Sequence, residues 1–129
     1  MNTDGIVELA GNVIIEEGEI LLVHREDEGW WDLPGGKVEE DESPTEAAVR
    51  EAREEIGVEV ELEKPFFSGE FQHSGELFLW HGYLARLEEG VPEAHGEKFS
   101  DVEWFSGEEL DELELAPNLG QILPALRDI

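Results

Sequence analysis

The stretch from Ser43 to Gly57 limits the fold more than any other part of this chain, because a start signal, a helical repeat and a stop signal follow one another there. Ser43 can cap a helix, Pro44 suits its first position, and Glu46, three residues after Ser43, completes a capping box. Gly57 supplies a left-handed stop after Ile56. Between these signals Thr45, Ala48, Val49, Ala52 and Ile56 recur at helical spacing, forming a stripe that can pack on a sheet.

The flanking sequence supplies that sheet. Ile6 to Ile15 and Ile20 to His24 are rich in β-branched and aliphatic residues, and the polar Glu16 to Glu19 between them reads as a hairpin turn. Val58 to Leu62, Phe66 to Gln72, Leu77 to Leu87 and Val102 to Phe105 are further expected strands. Arg25 to Gly36 and Glu88 to Ser100 are expected loops, and Gly107 to Leu113 and Asn118 to Arg127 short helices. Strands on both sides of one strong helix, with helices again at the end, imply an α/β fold with a mixed sheet covered on both faces. The expected organisation is one domain over residues 1–129, without repeat or linker.

Composition then narrows the function classes. Apolar residues make up 40% of the chain, including four Trp and six Phe, enough for a folded core. There is no cysteine, so disulfides, thiolate metal sites and a Cys nucleophile are excluded. No membrane-span-length apolar run or signal-like start is present, which leads to the expectation of a cytoplasmic protein without a membrane partner. With 34 acidic residues against 8 basic ones, the formal charge is -26, and nucleic acid is not an expected partner. So acidic a surface over an intact apolar pattern is the composition expected of a halophilic protein.

Charge also marks the site. On a helix, Glu51, Glu54 and Glu55 stand at i, i+3 and i+4 and span an arc of about 100°, beside the apolar stripe. Crowded like charges need compensation. Arg50, four residues before Glu54, can brace it, and Mg²⁺ or Mn²⁺ takes the hard oxygen ligands that such a cluster provides. In a chain this rich in Glu the same triplet, taken alone, is also compatible with a solvated helix face. The Leu33-Pro34-Gly35-Gly36 loop favours the metal site, since glycine lets backbone come close to the carboxylates.

Gly36, Glu42, Arg50, Glu51, Glu54, Glu55, Gly57 and Val58 together fit the pattern G-x5-E-x7-R-E-U-x-E-E-x-G-U, where U is a bulky aliphatic residue. The sequence thereby resembles the Nudix hydrolase family over nearly its whole length. The one soft departure is Ala52, at a position where a larger aliphatic residue is usual.

The resemblance implies an α/β/α sandwich and metal-dependent hydrolysis of a nucleoside diphosphate linked to another moiety, with a small-molecule nucleotide as substrate. It implies Glu51, Glu54 and Glu55 as ligands of Mg²⁺ or Mn²⁺, the Gly35 carbonyl as an extra ligand, and Glu97 as a ligand from a loop, although several acids lie nearby. It implies Arg50 as the brace, Gly36, Glu42 and Gly57 as shapers of the loop–helix–loop, and Glu51 as one of several candidates for general base. Arg25 and Asn118 are candidate contacts to phosphate and base, with a surface ion pair and a helix N-cap as their structural alternatives.

Trp30 and Trp31 can stack on a base but suit a packing role better, and His24, His73, His81 and His95 show no ligand spacing. Within the family, the nearest likeness is to MutT-like nucleoside triphosphate pyrophosphohydrolases. The rivals are an ADP-ribose or nucleotide-sugar pyrophosphatase, for which the proline associated with the former is replaced by His73, and a nucleotide-sensing module without catalysis. Monomer and homodimer are both compatible with the sequence.

The charge pattern makes a direct prediction. At molar salt the Debye length shrinks to about 3 Å, which screens carboxylate repulsion in the compact state. Thermal unfolding followed from dilute buffer to about 2 M KCl should give a midpoint that climbs steadily; a midpoint already at its maximum in dilute buffer contradicts the halophilic reading.

Overall fold

The computed structural model describes residues 5–126, except for the Gln121 side chain. Its strands are β1 (Ile6–Glu16), β2 (Glu19–Arg25), β3 (Trp30–Asp32), β4 (Gly35–Lys37), β5 (Glu59–His73), β6 (Glu76–Glu89) and β7 (Phe99–Ser106). Among the described residues there are also two helices, α1 (Pro44–Ile56) and α2 (Leu119–Leu126), and a 3-10 turn at Glu109–Glu112. Arg127, the expected last residue of the final helix, lies outside the described residues.

The strand order β3-β2-β1-β6-β5 places β1 at the centre, parallel to β6 and antiparallel to β2. Both faces are covered, which is why Val13 to Ile15 of β1 and Ile20 to Val23 of β2 are continuous apolar runs instead of alternating ones. Along β2, Ile20 and Leu22 join the core with Leu119, Ile122 and Leu126 of α2, whereas Leu21 and Val23 join the opposite core with Ala52 and Ile56 of α1. The result is an α/β/α sandwich around a mixed sheet.

The helix signals act as expected. The Ser43 Oγ accepts the Glu46 N–H at 3.2 Å, and the Glu46 carboxylate accepts the Ser43 N–H at 2.9 Å. At the other end Gly57 adopts φ 70° and its N–H bonds the Arg53 carbonyl. Ala47, Ala48 and Ala52 are fully buried, so the small residue at position 52 lets α1 sit close to the sheet.

Three expectations need correction. Arg25 to Gly36 is not wholly a loop, for β3 pairs with β2 and β4 pairs with β1. The β4 strand was hidden by its glycines, which have low strand propensity; here Gly35 lies against Gly11, and a Cβ on Gly35 would come within 2.6 Å of the Gly11 Cα. Val58 to Leu62 and Phe66 to Gln72 are one strand, β5, with register shifts on both sides of Pro65. An edge strand tolerates the missing N–H of proline, particularly at a bulge. The expected helix over Gly107 to Leu113 shrinks to the 3-10 turn.

Asn12 ties these layers together. It is fully buried on β1, and its Nδ2 donates to the Pro34 carbonyl at 3.0 Å and the Ala48 carbonyl at 2.9 Å. One side chain thus joins sheet, glycine loop and helix. Asn12→Ala strands two buried carbonyl contacts and should lower stability by about 1–3 kcal/mol in urea unfolding; a change below about 0.5 kcal/mol would contradict this role.

Candidate active site

The carboxylates on α1 are organised by one guanidinium. The Arg50 Nε and Nη2 grip both oxygens of Glu42 at 2.6 and 2.9 Å, and Nη2 also donates to the Lys37 carbonyl at 2.9 Å. Its Nη1 donates to Glu51 at 3.1 Å and to Glu54 at 3.0 Å. Arg50 therefore braces Glu54 as the i, i+4 spacing suggested, and also joins the loop before α1 to the helix face. Hydrogen bonding to Glu42 raises the guanidinium pKa above its ordinary value, while Arg50 holds the Glu42 carboxyl below the usual range. Glu42 additionally accepts the Glu39 N–H at 3.0 Å, fixing the turn that enters the helix.

The two glycines before α1 have separate jobs. A Cβ on Gly36 would strike the Glu51 carboxylate, whose Cδ lies 2.6 Å from that point. The Gly35 N–H donates to Glu55 Oε1 at 3.1 Å. Glu55 is only 5% exposed, and burial together with hydrogen bonding and charge from Glu51 pushes its carboxyl well above the ordinary carboxylate range. Glu51 and Glu55 are thus two acids in contact, one of them removed from water.

These groups open into a cleft of about 840 Å³. Gly35, Gly36, Glu51, Glu54 and Glu55 line one part, and the expected Arg25, Glu97 and Asn118 line the same space. Arg50, Glu42 and Gly57 support the cleft without lining it. Arg25 is already gripped by Asp27 at 2.9 and 3.1 Å and lies over the Phe99 ring, so its ion-pair alternative is realised inside the cleft wall. Asn118 is buried and precedes α2. Of the two tryptophans, Trp31 packs edge-on against Phe105, and Trp30 lines the cleft beside His73.

Fitness for a cation rests on the donor chemistry. Among the described residues, no three His, Asp or Glu side chains already converge into a closed metal shell, because Glu51 and Glu54 turn toward Arg50 and Glu55 toward Gly35. The Glu51–Glu55 contact nevertheless fits a divalent cation. It presents hard oxygen donors, and a cation there would offset the burial and the interaction with Glu51 that together drive Glu55 toward its neutral form.

Asp32 is a cleft residue that the sequence did not single out. Its Oδ1 accepts the Leu33 N–H at 2.7 Å, and its side chain bonds Asn118. Burial pushes its carboxyl up to about 6, with the Leu33 N–H and Arg25 opposing. His73 and His95 also line the cleft, although no spacing pattern pointed to either.

Comparison with known proteins agrees with this architecture. The NUDIX domain profile matches residues 8–126. An Escherichia coli K12 protein named CTP pyrophosphohydrolase is 34% identical over 116 residues, covering 87% of this chain and 84% of the relative. A MutT-like protein of Streptomyces ambofaciens is 32% identical over 106 residues, covering 82% and 67%. The crystal structure of a MutT NUDIX hydrolase from Burkholderia pseudomallei matches with a TM-score of 0.84 at 28% identity, covering 92% of this chain and 96% of that one.

The raised Asp32 pKa makes a signed prediction. A carboxyl whose pKa rises from 3.8 to about 6 on folding contributes stability below 3.8 that is lost as pH climbs through 6. Ionising it in the folded protein costs at most about 3 kcal/mol. Denaturant unfolding of Asp32→Asn against the parent should therefore favour the variant progressively more as pH rises across that window and then level off. A difference independent of pH would show that Asp32 ionises normally.

Proposed function

This chain belongs to the Nudix hydrolase family, and from that premise we propose that it hydrolyses nucleoside triphosphates to the monophosphate and diphosphate in the manner of MutT-like enzymes. The observation that carries the reading is the Arg50-braced set of Glu42, Glu51 and Glu54, with Glu55 held on the Gly35 N–H, at the wall of a nucleotide-sized cleft. Phosphoanhydride hydrolysis is the established chemistry of the family to which that arrangement belongs. The E. coli relative's name, CTP pyrophosphohydrolase, describes the same reaction type on one triphosphate.

The placement of cations supports a polyanionic substrate. The chain has only eight Lys and Arg residues, yet Arg25, Lys37 and Lys98 all line this cleft. Against a net charge of -26 and the six acids that share the cleft wall, these three cations lower the repulsion a triphosphate meets on entry. Lys37 follows the glycine pair directly, and Lys98 joins the β2 end near Arg25, its carbonyl accepting the Glu26 N–H at 2.6 Å.

Glu51, Glu54, Glu55, the Gly35 carbonyl and Glu97 would hold Mg²⁺ or Mn²⁺. When bound, such ions neutralise phosphate charge and lower the pKa of water for attack. Arg50 keeps Glu51 and Glu54 from relaxing into solvent, and Gly36 leaves room for the Glu51 carboxylate against the backbone. Glu51, touching Glu55 and opening on the cleft, is the candidate to take the proton of the attacking water. Asp32 and Asn118, bonded to each other, offer donor and acceptor atoms to a nucleobase edge.

The test is a phosphate-release screen over nucleoside triphosphates, ADP-ribose and nucleotide sugars, run with added inorganic pyrophosphatase and Mg²⁺ or Mn²⁺ in high salt. Triphosphates should be the best substrates, and Glu54→Gln should lower kcat at least about a hundredfold while leaving the fold intact by circular dichroism. Turnover of ADP-ribose alone would overturn the triphosphate assignment, and full activity in Glu54→Gln would overturn the site.

A further inference from the structure

The loop between β6 and β7 is strapped to the C-terminal end of α1. The His95 N–H donates to the Glu55 carbonyl at 2.8 Å, and the Glu93 N–H donates to the Ile56 carbonyl at 3.1 Å. Both carbonyls belong to the last turn, where an α-helix has no partners of its own to offer. The loop thus completes the capping that Gly57 begins.

Side-chain shape reinforces the strap. A Cβ on Gly57 would fall 2.5 Å from the His95 Cε1, 3.0 Å from Nε2 and 3.4 Å from Nδ1, so the imidazole occupies the space over that glycine. From the start of the loop Gly90 makes a similar approach, since a Cβ there would lie 2.8 Å from the Gly57 carbonyl oxygen. Gly57 consequently meets two demands, a φ of 70° and clearance for an aromatic ring. Two residues beyond His95, past the left-handed Gly96 at φ 89°, Glu97 enters the cleft lined by Glu51, Glu54 and Glu55.

We propose that His95 is a positioning residue whose ring, seated on Gly57, docks the Glu97-bearing loop on the end of the carboxylate helix and so sets Glu97 relative to Glu51 and Glu55. The proposal rests on the reading of these acids as a cation site given above. The contact is ring against backbone, so shape carries it. A flat ring of another kind should serve, whereas a methyl group should not. Because the helix end is the shared anchor, losing the ring and losing the Glu97 carboxylate should have the same consequence.

The test measures Mn²⁺ binding alone by titration calorimetry, with no nucleotide present, in the parent, His95→Ala, His95→Phe, Glu97→Gln, the His95→Ala/Glu97→Gln double variant and Glu54→Gln. His95→Ala and Glu97→Gln should each weaken Mn²⁺ binding about tenfold, and the double variant should be no weaker than either single one. His95→Phe should bind within about twofold of the parent. Amide exchange at residues 93–97 should quicken in His95→Ala and stay slow in His95→Phe. Unchanged Mn²⁺ affinity in His95→Ala, losses that multiply in the double variant, or failure of His95→Phe to preserve binding would each overturn the proposal. If Glu97→Gln binds normally while Glu54→Gln does not, the proposal falls and the cation site stands; if Glu54→Gln also binds normally, the reading of the site falls with it.

Discussion

The hydrogen bonding of Arg50 is the constraint on which the rest of this molecule depends. A guanidinium has five N–H donors in a fixed plane, and here they reach Glu42, Glu51, Glu54 and the Lys37 carbonyl at once. In a chain of net charge -26, three carboxylates drawn onto one helix turn and its entry loop need such a counterion. A lysine could neutralise the same charge, yet its single ammonium could not hold four partners in one orientation. The loop geometry around the glycine pair and the facing of α1 follow from this one fan of bonds.

Around that centre the fold supplies distance control. Alanines on α1 let the helix lie close to β1, Asn12 pins the Pro34 carbonyl to the helix, Gly35 lets β4 lie against the β1 backbone, and Gly36 admits the Glu51 carboxylate where a side chain would collide. The price is Glu55, a buried acid in contact with another acid. Such a pair is unfavourable for folding alone and favourable for holding a cation, the kind of local conflict that marks a functional site. The strongly acidic exterior and the cation-containing cleft are in the same way two requirements on one chain, met by placing three of its few basic residues where a polyanion must enter.

The sequence made this centre legible because its signals are local. Capping residues, helical spacing and glycine positions all lie between Gly35 and Val58, and the structure follows that pattern except at the start of the stripe, where Thr45 is exposed and Ala47 is buried in its place. The strands β1 and β2 were equally visible as segments rich in β-branched and aliphatic residues. What stayed hidden depends on long-range contacts. Pairing of Gly35 with Gly11 makes β4 a strand against its own propensity, and the bulges around Pro65 make β5 continuous. Asn12 looks like an ordinary polar residue in a strand until Pro34 and Ala48 arrive from elsewhere in the chain. Asp32 becomes unusual only because the folded cleft wall takes its carboxyl from water, against the opposing bonds from Leu33 and Asn118, and His95 because Gly57 leaves a place for its ring.

The central claim is that the α1 carboxylates exchange part of their bonding to Arg50 and Gly35 for a divalent cation at the cleft. Anomalous diffraction from crystals grown with Mn²⁺ and a non-hydrolysable nucleoside triphosphate analogue tests it most directly. The account predicts manganese density bridging Glu51 and Glu55 and touching the analogue's phosphates. Phosphates bound elsewhere, with those carboxylates still turned to their present partners and manganese absent beside them, would contradict it.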